Sequence, residues 1–562
     1  MRLSPSLHRR NPSSPIPDLP DMPSHDRPKK IAIIGSGCSG LGAAWALQST
    51  HHEVHLFEKA AKLGGHTNTQ QWKSPITGQT TPVDTGFIVM NTATYPNFIR
   101  FLEHVNVTTA PTQMTFGVSR DAGRFEWSGN PEGIFAQRSN LFSPRHWRMI
   151  FDIVRFNQFA LDLLREDDDL VAKGQGQDAV KVNGSSAAQH AKAYKTIGTY
   201  LHEEGYSTAF KDDYLIPMTA AVWSTSPDKA SLDFPAITLV RFMWNHHLLT
   251  TIAERPLWLT IPGGSQKYID AIVKRADPKR FKIHLSTPIN EVRRLSNGST
   301  QLIYAAPATG PPRPESFDHV IFAVHGDEIL PLITPSSSAS PLEESILSTF
   351  QTTENTAYLH SDLSLMPRRR QVYTAWNYLT TSSTSPSESE HPAGVALTYW
   401  MNLLQHIPES KFGPVLVTLN PPHKPDPEKT QGKYKYTHPL YTPAAVRAQR
   451  DLEDIQNLNG FSYAGAWTKY GFHEDGFSSG LKVAVEHLGA ELPFEFRDST
   501  FSRGHRPALG WEDRAVRGVV GWVQRLIILI ELVLGLWPVA WVVSLLTETH
   551  ERLVEGLERK GR

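Results

Sequence analysis

A chain of 562 residues is longer than one hydrophobic core usually serves, so two or more domains are expected, with room to bury a large cofactor. Lysine plus arginine (56) balances aspartate plus glutamate (56), and 40% hydrophobic residues is ordinary for a globular protein, so charge supplies no argument for a nucleic-acid partner. Cys38 is the single cysteine, which excludes an internal disulfide, a cysteine-rich metal cluster and most cysteinyl-flavin linkages.

Residues 1–29 are rich in Pro, Ser and Arg and hold no apolar run long enough for a secretory signal core, so a disordered tail is expected. Asp18, Asp21 and Asp26 break the acid-poor pattern of a mitochondrial presequence. Lys30 to Gly35 then reads as a short buried strand, Leu41 to Gln48 as a helix whose Gly42, Ala43 and Ala44 suit close packing, and Glu53 to Phe57 as a second strand. Strand, turn, helix and strand in about thirty residues open a doubly wound sheet.

Between residues 97 and 259 longer amphipathic stretches, such as Trp147 to Leu164, predict a mainly helical region interrupted by the polar Lys173 to Ser186 segment. Strand signals at Phe281 to Leu285, Gln301 to Tyr304, His319 to Val324, Val395 to Tyr399 and Val415 to Leu419 predict a second sheet. Ala306 to Glu315, Pro335 to Pro341 and Thr380 to Pro392 read as surface loops by their Ser, Pro and Gly content.

Gly35, Gly37 and Gly40 form GSGCSG, with Ser39 inside it, between the first strand and the first helix. There the missing side chains let backbone N–H groups and a helix N-terminus approach a pyrophosphate. Glu58, followed by Lys59, ends the second strand 18 positions after Gly40, close to the offset of a ribose-hydroxyl ligand. That unit serves NAD and FAD equally, since both carry an adenosine diphosphate half. A second glycine turn, LGGHT (Gly64, Gly65, His66, Thr67), follows, and then VDTGF from Val83 to Phe87.

The combination GSGCSG, Glu58, LGGHT and VDTGF resembles the flavin-containing amine oxidase and phytoene desaturase superfamily. The resemblance implies FAD and an α/β (overall α+β) architecture. A Rossmann-like FAD-binding domain would be assembled from the discontinuous segments 30–96, 260–330 and 455–492. A mixed helical and antiparallel-sheet substrate domain would come from 97–259 and 331–454. The family commonly places Arg after the double glycine; here His66 either donates toward the flavin or packs in the turn.

Phe461 to His487, FSYAGAW then GFHEDGFSSGLKVAVEH, resembles the family's second cofactor segment. The resemblance puts Gly465, Gly476 and Phe477 at the pyrophosphate and ribityl groups, with a helix from Ser478 aiming its positive end at the flavin. Ala466 stands where the family has an acid, and Asp475 or Glu474 either substitutes for it or caps the helix. IPGGSQKY (261–268) and PINEV (288–292) resemble the return to the cofactor domain, with the Val292 backbone at the adenine, and FDHVIFAVH (317–325) the strand leading out of it.

VDTGFIVMNTATYPNF (83–98), AAVWSTSP (220–227), NHHLL (245–249), LHSDLSLMPRRR (359–370), AWNYL (375–379) and TYWMNLLQ (398–405) resemble a narrower subgroup. These are NAD/FAD-binding proteins related to the N-terminal region of plant cyclopropane fatty acid synthases and to bacterial methyl-fatty-acid desaturases. That resemblance implies an apolar, lipid-type substrate, desaturated or isomerised by hydride transfer to flavin. His325, His360 and Tyr378 are the candidate bases, each also readable as a packing residue. Trp376, Tyr378, Trp400 and Trp467 either wall the flavin or fill a core. A flavin-dependent amine oxidase, which would want an aromatic cage and a lysine that this sequence does not identify, and a non-catalytic flavin-binding scaffold are the alternatives.

No metal is expected: the His51/His52 and His246/His247 pairs are adjacent and lack a ligand spacing. Near the C-terminus, an apolar stretch from Val519 to Leu546 is interrupted by Gln524, Arg525, Glu531 and Pro538. Residues 515–548 are therefore expected to be a membrane-associated helix, spanning or lying in the interface, with the protein on the cytoplasmic side.

Overall fold

The computed structural model describes residues 27–172, 195–223, 232, 234–249, 255–305, 310–380 and 396–536. Residues 1–26, the Lys173 to Ser186 segment, the end of AAVWSTSP, the start of the Ala306 loop, nearly all of the Thr380 loop and residues 537–548 of the expected C-terminal helix lie outside it.

A five-stranded parallel sheet takes its strands from three distant stretches of chain, in the order Phe281–His284, Glu53–Phe57, Lys30–Ile34, His319–Phe322 and Phe461–Tyr463. The central strands read as unbroken apolar runs because both faces are covered. On one face Leu41, Phe101, Tyr268 and Phe477 form the core; on the other Phe57, Val292, Tyr304 and Phe322 do. The strand at PINEV, Ile289–Arg294, belongs to a separate antiparallel sheet with Thr300–Tyr304 and Arg313–Phe317.

Two helices lie together over the parallel sheet, Cys38–Ala46 and His473–Leu488. The second starts five residues before the expected Ser478. Their approach depends on glycine: a Cβ on Gly480 would lie 2.0 Å from the Ser39 carbonyl oxygen, and one on Gly42 2.7 Å from that of Phe477. This brings both helix N-termini to one end of the sheet.

The second sheet has seven strands, in the order Thr430–Leu440, Gln351–His360, Leu416–Leu419, Ala396–Trp400, Trp376–Thr380, Phe116–Arg120 and Phe125–Ser128. The last two lie within 97–259 and are not among the strands expected from the sequence. They form a hairpin whose first strand pairs in parallel with Trp376–Thr380, Trp376 opposite Phe116. The hairpin is buried by this partner from more than two hundred residues away, which local periodicity does not reveal. The longer elements described in that region are helices, Pro144–Phe159, Leu161–Ala172, Ile197–Glu203, Ile216–Trp223 and Ala236–Asn245, with short strands at Ala110–Thr112 and Trp258–Thr260. It has its own core around Phe156, Phe210, Leu239 and Phe242.

The described part of the expected membrane-associated segment holds no membrane span. Residues 515–536 continue one helix, Trp511–Leu536, docked on the Pro144–Phe159 helix, where Arg517 donates to the Gln158 carbonyl and, at 2.9 Å, to Asp162 of the Leu161–Ala172 helix. Arg514, Arg517, Arg525 and Glu531 break its apolar run, and among the described residues no helix is long and apolar enough to cross a membrane.

Candidate active site

At the end of the first strand the chain turns through Gly35, whose φ of +98° suits glycine and whose missing Cβ keeps clear of the Ala323 carbonyl, which would lie 2.6 Å away. A Cβ on Gly40 would fall 1.9 Å from the Gly35 oxygen, so the helix can start tight against the turn only with glycine there. Gly37 is the helix N-cap. No side chain caps it, no acid stands in the first turn, and open space lies beside its Cα. The first N–H groups of this helix are therefore presented to an anion from outside.

The LGGHT turn closes over this cradle. Gly64 N–H donates to the Ser36 carbonyl at 3.1 Å, and Gly65, at φ +56°, would set a Cβ 3.2 Å from the Gly37 Cα. Glu58 is buried at the strand end, where one carboxylate oxygen accepts from Ser36 N–H and hydroxyl and the other from Ala60 N–H. Lys59 pairs with Glu328 at 2.6 Å, and the Ser39 hydroxyl donates to the Ala323 carbonyl at 3.4 Å. Thr67 is bonded to the Tyr268 hydroxyl at 2.6 Å.

From the far end of the chain, Gly476 meets the same turn: a Cβ there would lie 2.4 Å from Cys38 Sγ and 3.3 Å from the Ala466 nitrogen. Gly465 N–H donates to Ser479 Oγ at 2.9 Å, and Phe477 is fully buried against Phe101. Asp475 accepts from Phe472 N–H, a helix cap, and burial pushes its carboxyl up to about 6. Glu474 accepts from the N–H groups of Asn97 and Phe98 and so caps the Pro96–His104 helix; burial raises it to about 7. The Val292 carbonyl accepts from Ser336 Oγ at 2.9 Å. Glycines without room for side chains, open space at Gly37 and two converging helix N-termini fit an FAD pyrophosphate.

Beyond the cradle opens a cavity of about 170 Å³, room for one ring or a comparable length of alkyl chain. Phe87, Ile88, Trp223, Trp376, Tyr399 and Leu419 are among its walls, and among the described residues no Asp, Glu, Lys or Arg lines it. Its polar corner is made of imidazoles. The His66 ring lies 5.0 Å from Tyr436, 5.1 Å from His438 and 5.9 Å from His325. Burial, then the neighbouring histidines, hold His66 well below the usual imidazole range. Burial likewise lowers His438 to about 4 and His473 to about 3. His473 stacks on Phe87 at 3.8 Å and is bonded to the Tyr268 hydroxyl.

The three candidate bases are not brought together. His325 packs beside His66, whereas His360 is fully buried between Thr418 Oγ1 and the Asp362 N–H, and Tyr378 sits in the core of the second sheet. Of the aromatic set, Trp376 lines the cavity; Trp467 packs on Phe350 and donates to the Val324 carbonyl. Sequence reasoning missed Asp84, Tyr436, His438 and His473. Asp84 lies within VDTGF, and its buried carboxylate accepts from Ser265 N–H and hydroxyl and from Gln405 Nε2. It thereby ties three separate motifs together. His438 had one local signal, the alternation Tyr434, Tyr436, His438 along a strand that puts all three on one face.

Comparison with known proteins agrees with this geometry. A stretch of 42 residues is 48% identical to L-amino acid oxidase of Cerastes cerastes and covers 8% of each chain. A similar stretch is 40% identical to L-amino-acid oxidase of Pseudechis australis, again over 8% of each. Among solved structures, a CLA-producing fatty acid isomerase from P. acnes superimposes with a TM-score of 0.53 at 14% identity, over 82% of this chain and 99% of its own. Cyclohexylamine oxidase from Brevibacterium oxydans IH-35A gives 0.56 at 14% identity, over 82% and 98%. At such identities the likeness bears on the fold. The sequence profile described as flavin containing amine oxidoreductase matches residues 38–488. The chain thus belongs to the flavin-containing amine oxidoreductase family and is an FAD-dependent oxidoreductase.

Proposed function

We propose that the protein desaturates an apolar lipid-type substrate held in the cavity beside the flavin, or isomerises a double bond in it without net oxidation. The observation carrying this reading is the cavity wall, in which aromatic and aliphatic side chains predominate, with tyrosines, Thr85 and neutral imidazoles as its polar groups and, among the described residues, no charged side chain. A charged substrate entering it would lose hydration without an ionic partner, whereas an alkyl chain gains by burial. The stretches resembling the cyclopropane-synthase-related subgroup support the same substrate class.

In this reading Gly35, Gly37, Ser39, Gly40, Gly64, Gly65, Thr67, Gly465, Ala466, Gly476 and Phe477 shape the FAD cradle. Glu58 and Lys59 stand at the ribose, Val292 near the adenine, Asp475 at the end of the second helix, and His66 where cradle and cavity meet. Bound FAD supplies the hydride acceptor. Trp376, Tyr399 and Phe87 orient the substrate and exclude water. Of the candidate bases we retain His325, which burial keeps below the usual imidazole range and which packs against His66 at the cavity wall.

Amine oxidation is the second reading, favoured by the aromatic side chains Trp376 and Tyr399 in the cavity wall, since an ammonium group is attracted to an aromatic face. The visible spectrum of the purified holoenzyme under anaerobic conditions discriminates the two. Bleaching of the flavin band by fatty acyl lipids supports the first; bleaching by amines alone refutes it and supports the second.

We further propose association with a membrane surface on the cytoplasmic side. Trp522, Leu526, Leu529, Ile530 and Leu532 of the Trp511–Leu536 helix are exposed, while Arg517 and Gln524 hold the helix to Asp162 and Arg155. An apolar helix face of this kind suits a lipid interface.

A further inference from the structure

The imidazole of His438 stands at the cavity, and which of its nitrogens carries the proton is decided by a chain of hydrogen bonds that begins at the backbone. Asn420 Oδ1 accepts from Thr356 N–H at 2.8 Å, and a backbone N–H can only donate. The other end of the Asn420 side chain is therefore its amide nitrogen, and Nδ2 donates to Asn355 Oδ1 at 2.6 Å. That leaves Asn355 Nδ2 as the atom facing His438 Nδ1 at 2.7 Å, an orientation supported by its second acceptor, the Thr353 carbonyl at 3.3 Å. His438 Nδ1 must then accept, so the neutral ring holds its proton on Nε2. No partner for Nε2 is found among the described residues.

The relay lies at the strand pair Gln351–His360 and Thr430–Leu440 and is clamped by Asn420, held in the left-handed region at φ +46°. It is more than one residue needs for packing, and it costs two side-chain amides, those of Asn420 and Asn355, their freedom. We infer that His438 is a specificity-determining residue, a fixed neutral Nε2–H donor in the cavity that selects substrates carrying an uncharged oxygen acceptor. The inference deepens the apolar-substrate reading and rests on the cavity being the substrate site. An otherwise apolar molecule with a carbonyl, ester or hydroxyl oxygen gains a hydrogen bond there; a pure hydrocarbon leaves the donor buried and unpaired.

The test uses the FAD-loaded full chain with histidine ring nitrogens labelled, and two probes of equal shape, acetophenone and its hydrocarbon isostere α-methylstyrene. In the wild type, the nitrogen spectrum of the His438 ring shows the proton on Nε2, and titration of the flavin absorption band shows acetophenone binding about tenfold more tightly, the worth of about 1.4 kcal/mol. His438→Gln, whose amide nitrogen reaches the place of Nε2, retains the preference; His438→Asn, which replaces only Nδ1, abolishes it. Asn420→Asp removes the donor to Asn355, so the Asn355 amide turns over, the His438 proton moves to Nδ1 and the preference is lost.

A proton found on Nδ1 in the wild type, an unchanged preference in His438→Asn, or no binding of either probe overturns the inference. Wild-type ring spectra and His438→Asn keep it decidable if Asn420→Asp does not fold. Failure of fatty acyl lipids to bleach the flavin while the acetophenone preference persists would instead refute the lipid reading and leave His438 in its place.

Discussion

Replacing Gly37 by alanine separates stability of the fold from binding of the cofactor. A Cβ at this position meets no heavy atom within 4 Å, and the backbone φ of −63° is one that alanine adopts freely. The apoprotein therefore loses nothing by overpacking; the stiffer unfolded chain favours the variant by about 0.4–1 kcal/mol, and alanine as the poorer N-cap offsets about as much, so apoprotein stability should change by less than about 1 kcal/mol. With FAD the variant loses, because the new methyl occupies the space through which the helix N-terminus meets the pyrophosphate. Overpacking of this kind costs about 1–3 kcal/mol, which corresponds to about 5- to 150-fold in the dissociation constant. Apoprotein Tm by scanning calorimetry, and FAD affinity by quenching of flavin fluorescence, measure the two effects independently. A fall in the apoprotein Tm beyond that margin would show that the space is not open; unchanged FAD affinity would show that the pyrophosphate does not pass Gly37.

Gly480→Ala should do the opposite at the same two helices. Its Cβ would sit 2.0 Å from the Ser39 oxygen and 2.8 Å from the Ala43 nitrogen, both backbone, so the apoprotein should lose at least about 1–3 kcal/mol, read as a lowered denaturant midpoint. Glu343 is fully buried, and although burial opposes it, Arg294, the Tyr463 hydroxyl and Ser340 N–H hold its carboxyl down to about 2. A depressed acid stabilises above its unfolded value of 4.5 and loses that contribution as pH falls toward 2. Glu343→Gln should therefore cost about 3–5 kcal/mol at pH 7 and flatten the acid limb of the stability profile; a parallel pH profile would contradict this. Deleting residues 511–562 should release the protein from phospholipid vesicles while FAD binding persists, and continued sedimentation with vesicles would refute the membrane proposal.

Much of the cofactor half was legible because its constraints are local. GSGCSG, LGGHT and the apolar runs KIAII and HVIF report backbone conformation and two-sided burial within a few residues, and the structure puts these strands side by side. In the C-terminal segment the apolar run and its interruptions at Arg525 and Glu531 were legible, whereas the docking of the helix through Arg517 to Asp162 was not, because that partner is distant in the chain. The Phe116–Ser128 hairpin was missed because its alternation is short and its partner strand is distant.

The sequence alone determined the dinucleotide turn, the second cofactor segment and the family, since a glycine at a tight turn is required by the backbone whatever surrounds it. Only the tertiary structure decided which side chains meet: that Asp84 joins three motifs, that His360 and Tyr378 lie away from the cavity, and that His66 and His438 meet in its wall with His325 packed beside His66. Those positions are set by the pairing of strands far apart in the chain, and the chemistry of an imidazole depends on what such a pairing places beside it.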